Sequence, residues 1–211
     1  GAKRGPQNGY DRRSEYGPTD FDVTFRFVQS AVWQLPYGRG RKFGSNSGRV
    51  RDLAFGGWEF SPIVILQGGL PLTIVQAQLL NLGSNRVSRP NRIANGALPS
   101  GQRDVNQWFD VNAFLTLQTD PTKPGFVPKQ AFGNSGVGIL RGPGLATADF
   151  SLAKDFSLSE RRSLQFRGEF FNALNHTNLG IPSITIGSGF GQITTTATPA
   201  RQIQFGLKYR F

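Results

Sequence analysis

Arg201-Gln202-Ile203-Gln204-Phe205-Gly206-Leu207-Lys208-Tyr209-Arg210-Phe211 is the stretch whose reading decides the fold. Ile203, Phe205, Leu207, Tyr209 and Phe211 fall on one face of an extended strand, and Gln202, Gln204, Gly206, Lys208 and Arg210 fall on the other. A strict period of two describes a strand with one apolar and one polar face. Such a strand belongs either to a sheet that covers a soluble core or to a barrel wall with lipid outside and water inside.

Upstream segments repeat the pattern. From Asp22, the residues Val23, Phe25, Phe27, Ala31, Trp33 and Leu35 share a face, until Pro36-Tyr37-Gly38 stops the alternation. A second strand is expected from Trp58 to about Ile74, with an edge, bulge or bend at Pro62 and at Gly68-Gly69. A third, from about Ala148 to Leu158, sets Phe150, Leu152, Phe156 and Leu158 against Asp149, Ser151, Asp155 and Ser157, with Lys154 alone breaking the apolar face. A tight turn at Ser159-Glu160-Arg161 leads to a fourth, Ser163 to about Asn172, with Leu164, Phe166 and Phe170 opposite Gln165, Arg167 and Glu169.

The expected organisation is a loop over 1–20, two strands within 21–75, a long outer loop over 76–146, a hairpin over 147–172, a second outer loop over 173–200 and the terminal strand over 201–211. Turn formers fill the long loops, among them Ser88-Arg89-Pro90-Asn91, Pro121-Thr122-Lys123-Pro124-Gly125 and Gly142-Pro143-Gly144. Following the strands in order puts both long loops on one side and the short turn, with the basic 36–56 connection, on the other. Long loops outside and short turns inside mark outer-membrane barrels. The fold class expected is all-β: an antiparallel meander of about five long strands with long loops, part of a transmembrane β-barrel.

Composition agrees. Hydrophobic residues make up 37% of the 211, and no apolar run approaches the roughly 20 residues of a spanning helix. Spanning strands need only about 9–11 residues and hide half their hydrophobicity in the alternation. Gly 27, Pro 13 and Phe 18 suit a turn-rich, aromatic-rich β protein. There is no cysteine, which removes disulfides and thiolate chemistry. Methionine is also absent, and the opening Gly1-Ala2-Lys3-Arg4 has no apolar signal region, so a processed chain or a fragment is expected. The formal charge of +11 is scattered apart from Arg39, Arg41, Lys42, Arg49 and Arg51. No recognition-helix or RNP-like motif accompanies it, and nucleic acid is not expected as a partner.

Several stretches together resemble the C-terminal barrel portion of TonB-dependent outer-membrane receptors, in particular the Oar-like group with a carboxypeptidase-regulatory-like domain. They are Asp20-Phe21-Asp22-Val23, Phe25-Arg26-Phe27-Val28, Leu35-Pro36-Tyr37-Gly38-Arg39-Gly40, Gly56-Gly57-Trp58 and Gln67-Gly68-Gly69-Leu70-Pro71. Ser88-Arg89-Pro90-Asn91, Leu140-Arg141-Gly142-Pro143-Gly144, the run from Leu164 through Phe170 to His176 and the terminal strand complete the set. The resemblance covers nearly all of residues 1–211 and implies a barrel segment of a Gram-negative receptor that handles a bulky ligand, in contact with outer-membrane lipid. It implies that Phe205, Leu207, Tyr209 and Phe211 form the signal read by the barrel-assembly machinery. TonB is implied as a partner only through N-terminal regions that these residues do not contain. Five strands fall short of the roughly eight of the smallest closed barrel.

Trp33, Trp58 and Tyr209 are candidates for interfacial aromatic girdles. Arg167 and Glu169 are placed to pair with Lys208 or Arg210, or simply to be solvated. No catalytic, cofactor or metal residues are assigned. His176, the single histidine, is read as part of an Asn-His turn rather than as a base or ligand. Two alternatives remain: a soluble or surface β-rich interaction protein that assembles through strand edges, and a serine hydrolase acting on an ester or lactone. The latter would use Ser135 in Gly133-Asn134-Ser135-Gly136, with His176 as base and Asp149 or Asp155 as its orienter.

Overall fold

The computed structural model describes residues 6–77, 88–117, 121–122, 126 and 132–211. The opening Gly1-Ala2-Lys3-Arg4 and the Lys123-Pro124-Gly125 part of the expected outer loop lie outside the described residues. The strands are β1 (Arg26–Ser30), β2 (Trp33–Gln34), β3 (Trp58–Gln67), β4 (Pro71–Leu72), β5 (Asn91–Arg92), β6 (Phe114–Leu115), β7 (Leu140–Arg141), β8 (Leu145–Ser157), β9 (Ser163–Phe171) and β10 (Gln202–Arg210). One α-helix, α1 (Arg49–Phe55), joins β2 to β3. The chain divides into two compact units.

The sheet unit holds residues 26–67, 145–177 and 198–211. Its strands run in the order β1-β3-β8-β9-β10, all antiparallel, with β2 also on β3. β1 and β2 keep one register on β3, since Ser30 faces Ile63 and Trp33 faces Phe60. The break between them has a clear cause. Ala31 donates its N–H to the Pro62 carbonyl at 3.2 Å, but proline has no N–H to return. The irregularity expected at Pro62 is therefore neither a bulge nor an edge: Pro62 lies inside a strand paired on both sides, and its neighbour carries the interruption.

Two strand limits differ from expectation. Residues 22–25 are not part of β1, and β3 ends at Gln67 rather than near Ile74. Leu72 and Ile74 are buried in the core of the other unit, so their apolarity serves globular packing and not the sheet.

That loop unit holds residues 1–25, 68–144 and 178–197. Its core gathers Leu72, Ile74, Phe109, Ala113, Phe114 and Leu140, with Phe109, Phe114 and Phe190 edge to face at 5.1–6.2 Å. Short pairs β4–β7 and β5–β6 fix its backbone. The 76–146 stretch, expected as loop, thus contributes strands and a core. Its turn motifs act as cross-links. Arg89 is buried and forms an ion pair with Glu15 at 2.7 Å, while its Nε donates to the Ser135 carbonyl at 2.7 Å. Arg141 pairs with Asp22 at 2.6 Å. Beside it, a Cβ on Gly69 would collide with the Gly142 carbonyl oxygen, so only glycine permits this approach.

Candidate membrane-facing wall

Register places every strand of the sheet unit on a common grid. One row reads Trp33, Phe60, Leu152, Gly168, Phe205, and the next reads Trp58, Lys154, Phe166, Leu207. On the other side of that pair, Phe150, Phe170 and Ile203 align with Pro62. Because residues directly opposite share a face, these rows form one apolar surface across the sheet. Its rings touch in series: Phe60 with Phe150 at 5.4 Å, Phe150 with Phe170 at 4.5 Å, Phe170 with Phe205 at 6.5 Å, Phe205 with Phe166 at 5.9 Å and Phe166 with Trp58 at 6.0 Å. Gly168 makes room for this, since its Cβ position lies 3.3 Å from the Phe205 ring. An aromatic folded over a strand glycine covers backbone that would otherwise be bare.

Across β8, β9 and β10 the opposite face is mostly polar and interlinked, whereas β1 and β3 place Val28, Ile63 and Ile65 on it. Glu169 pairs with Arg167 at 3.6 Å and accepts a bond from the Gln204 amide. Asp155 accepts from Gln165 at 3.2 Å and pairs with Arg210 at 3.8 Å. Arg167 and Glu169 therefore bond to each other, and the strand-to-strand partner of Arg210 is Asp155.

Apart from α1 at its Trp58–Lys154 end, the apolar face has no helix or second sheet over it within its own unit among the described residues. Phe205 and Leu207 are 69% and 70% exposed, and the sheet unit's one buried hydrophobic residue among those described, Ala153, lies on the opposite face. Large contiguous apolar surfaces of this kind mark contact with another apolar phase or partner. Of the proposed assembly residues, Phe205, Leu207 and Tyr209 lie on this face of β10, and Phe211 follows the strand, fully exposed. β10 pairs only with β9, leaving its other edge open among the described residues. Trp33, Trp58 and Tyr209 sit on three successive rows toward one rim rather than flanking both rims.

The two rims differ. All passages of the chain between the units, at 25/26, 67/68, 144/145, 177/178 and 197/198, leave the sheet at the rim where Arg26, Gln67 and Leu145 stand level. The other rim carries the 158–162 turn, closed by Leu158 and Ser159 N–H groups donating to the Arg162 carbonyl at 2.9 and 3.1 Å, and the connection through α1. Sequence reasoning missed α1. Gly48 supplies no side-chain cap, and only the spacing of Val50, Leu53 and Ala54 hints at a helical face. Lys154, the single break in the apolar face, is explained here: its ammonium donates to the Asp52 and Gly56 carbonyls at the end of α1 and lies over the Trp58 and Phe156 rings.

The alternative catalytic set is not assembled. The Ser135 hydroxyl is buried and has no hydrogen-bond partner among the described residues. Asp149 accepts from the Asn172 backbone at 2.7 Å, and Asp155 is engaged by Gln165 and Arg210. His176 closes a turn instead, donating its backbone N–H to Asn172 Oδ1 at 2.9 Å. Among the described residues, no group of three or more His, Cys, Asp or Glu side chains is placed to hold a metal ion.

A family model described as an outer membrane beta barrel domain matches residues 1–204, and the chain belongs to that family. It is an all-β part of a transmembrane barrel in the outer membrane, which sets aside the soluble alternative. No curated protein and no solved structure matches the chain.

Proposed function

We propose that this outer-membrane β-barrel chain is the wall and loop portion of a receptor that takes up a bulky ligand, of the TonB-dependent, Oar-like kind. The aromatic face meets lipid, the charged face lines the lumen, and further strands close the barrel, since five are too few. Phe205, Leu207, Tyr209 and Phe211 present the assembly signal, and Trp58 and Tyr209 lie toward one membrane interface, while Trp33, level with Phe205, lies nearer the middle of the wall. The role is binding and transport, without catalysis.

The observation that carries the reading is the loop unit. Connections that all leave from one rim fold into a body with its own buried core and cross-links, and a pore wall alone has no use for such a body. Within it, Phe21, Leu70, Leu72, Ile181 and Ile184 line a recess of about 370 Å³, within the size range of small-ligand sites.

The test replaces residues 88–117 with a short Gly-Ser linker in the full-length protein, in its own host. Outer-membrane assembly, read as heat-modifiable migration, should persist. Uptake of at least one labelled solute from a panel of oligosaccharides, peptides and siderophores too large for porins should be lost, and should likewise fail without TonB. Uptake that survives both changes would sink the proposal.

A further inference from the structure

The turn rim of the sheet unit carries a feature the receptor reading does not use. Arg39, Arg41, Arg49 and Lys154 line a cavity of about 420 Å³, together with Asp52 and Leu53. Neither Arg39, Arg41 nor Arg49, nor the adjacent Lys42 and Arg51, forms an ion pair among the described residues. Among the described residues these arginine side chains bond to neutral groups: Arg41 donates to the Gln34 side chain at 3.1 Å and Arg39 Nε to the Ser47 carbonyl at 3.4 Å. Two carboxylates also line the cavity: Asp52 already accepts the Arg39 backbone N–H at 2.7 Å, and Asp155 accepts from Gln165 at 3.2 Å and pairs with Arg210 at 3.8 Å. Lys154 is committed to the carbonyls at the end of α1.

Exposed apolar side chains stand near these cations, Phe55 with one edge against the Tyr37 ring at 6.4 Å. Val50, Leu53 and Phe55 of α1 are 79%, 59% and 64% exposed, and Phe43 is 54% exposed. α1 is held on the aromatic side of the sheet, because Lys154 and Trp58 both lie on that face and Trp58 Nε1 donates to the Ala54 carbonyl at 2.9 Å. Unpaired arginines beside exposed aliphatic and aromatic residues, at the edge of an apolar wall, match the two layers of a lipid: phosphate and acyl chain.

We propose that the cavity between α1 and the end of β8 binds the phosphate of an anionic phospholipid through Arg39, Arg41 and Arg49, with Val50, Leu53 and Phe55 among the acyl chains. The inference rests on the reading of the aromatic face as lipid-facing. It assigns this rim to the periplasmic leaflet, where phospholipid headgroups reside. Arginine suits the task because its fork of donors meets phosphate oxygens in pairs.

Trp58 reports on the site, since its ring lies 5.8 Å from Lys154 Nζ. The full-length protein, with its other tryptophans replaced by phenylalanine, is placed in phosphatidylcholine vesicles, and a fraction of the lipid is substituted with brominated phosphatidylglycerol or brominated phosphatidylcholine. Brominated phosphatidylglycerol should quench Trp58 at a several-fold lower mole fraction. Each Arg→Gln change at 39, 41 and 49 should reduce that preference about fivefold until it vanishes. The triple Arg→Lys variant should keep most of it, and unchanged heat-modifiable migration shows that each variant folds. Equal quenching by the two lipids overturns the headgroup site while leaving the wall intact. Quenching by neither overturns the lipid-facing wall itself. Loss of the preference on adding millimolar inorganic phosphate at constant ionic strength would show a site for free phosphate, and overturns the lipid assignment.

Discussion

Phe205 and Gln204 are adjacent in β10 and occupy opposite faces, so arginine at each position weighs the two faces against each other. The strand spans Gln202 to Arg210. Its nine residues rise roughly 30 Å, and a tilt of about 45° leaves about 21 Å of depth, close to the apolar band of an outer-membrane barrel. Phe205 lies near the middle of that span. Phe205→Arg places a charge near the midplane, at a cost of about 2–4 kcal/mol. It also removes ring contacts with Phe166 at 5.9 Å and Phe170 at 6.5 Å, each contributing about 0.5–1.5 kcal/mol. The expected loss is about 3–7 kcal/mol. Gln204→Arg stands beside Glu169 on the polar face and should change stability by no more than about 1 kcal/mol.

The measurement is reversible urea unfolding of the protein in phosphatidylcholine vesicles, followed by tryptophan fluorescence. Phe205→Ala separates the two contributions, because alanine loses the rings without adding a charge. Phe205 is 69% exposed, so if water rather than lipid covered it, arginine would be tolerated as well as alanine. Phe205→Arg no less stable than Phe205→Ala, or equal costs at 204 and 205, would refute the assignment of the faces.

Three further outcomes are expected. Gly168→Val should cost about 1–3 kcal/mol by pushing on the Phe205 ring, and the cost should largely disappear in a Phe205→Ala background; additive effects in the double-mutant cycle would contradict the ring-over-glycine packing. Glu15→Ala strands the Arg89 guanidinium, whose side chain is 3% exposed, and should destabilise the loop unit by about 3 kcal/mol; faster limited proteolysis within 88–117 reads this, and an unchanged cleavage rate counts against a structural ion pair. Asn172→Gly should destabilise by about 1–3 kcal/mol although φ is +46° there, because the side chain's bonds to His176 and Pro199 outweigh the relief glycine brings; a stabilised variant in urea unfolding would reverse that ranking.

What could be read from the sequence follows from where the physics is local. Alternation in β8, β9 and β10 is a short-range signal set by the pleat, and it named the faces that the register then aligned. The loop unit is held differently. Arg89 reaches back to Glu15, and Arg141 to Asp22, across separations that no period encodes. Leu72 and Ile74 continue the alternation of β3 with nothing local to show that they pack in another core. Lys154 shows the limit from the opposite direction. As a lone cation on an apolar strand face it counts against a lipid-facing wall, yet its ammonium is bonded to the carbonyls that end α1, a helix with no cap to announce it. A charge at the rim of such a face is permitted where backbone acceptors receive it, so the break in the pattern marks the edge of the wall rather than an error in its assignment.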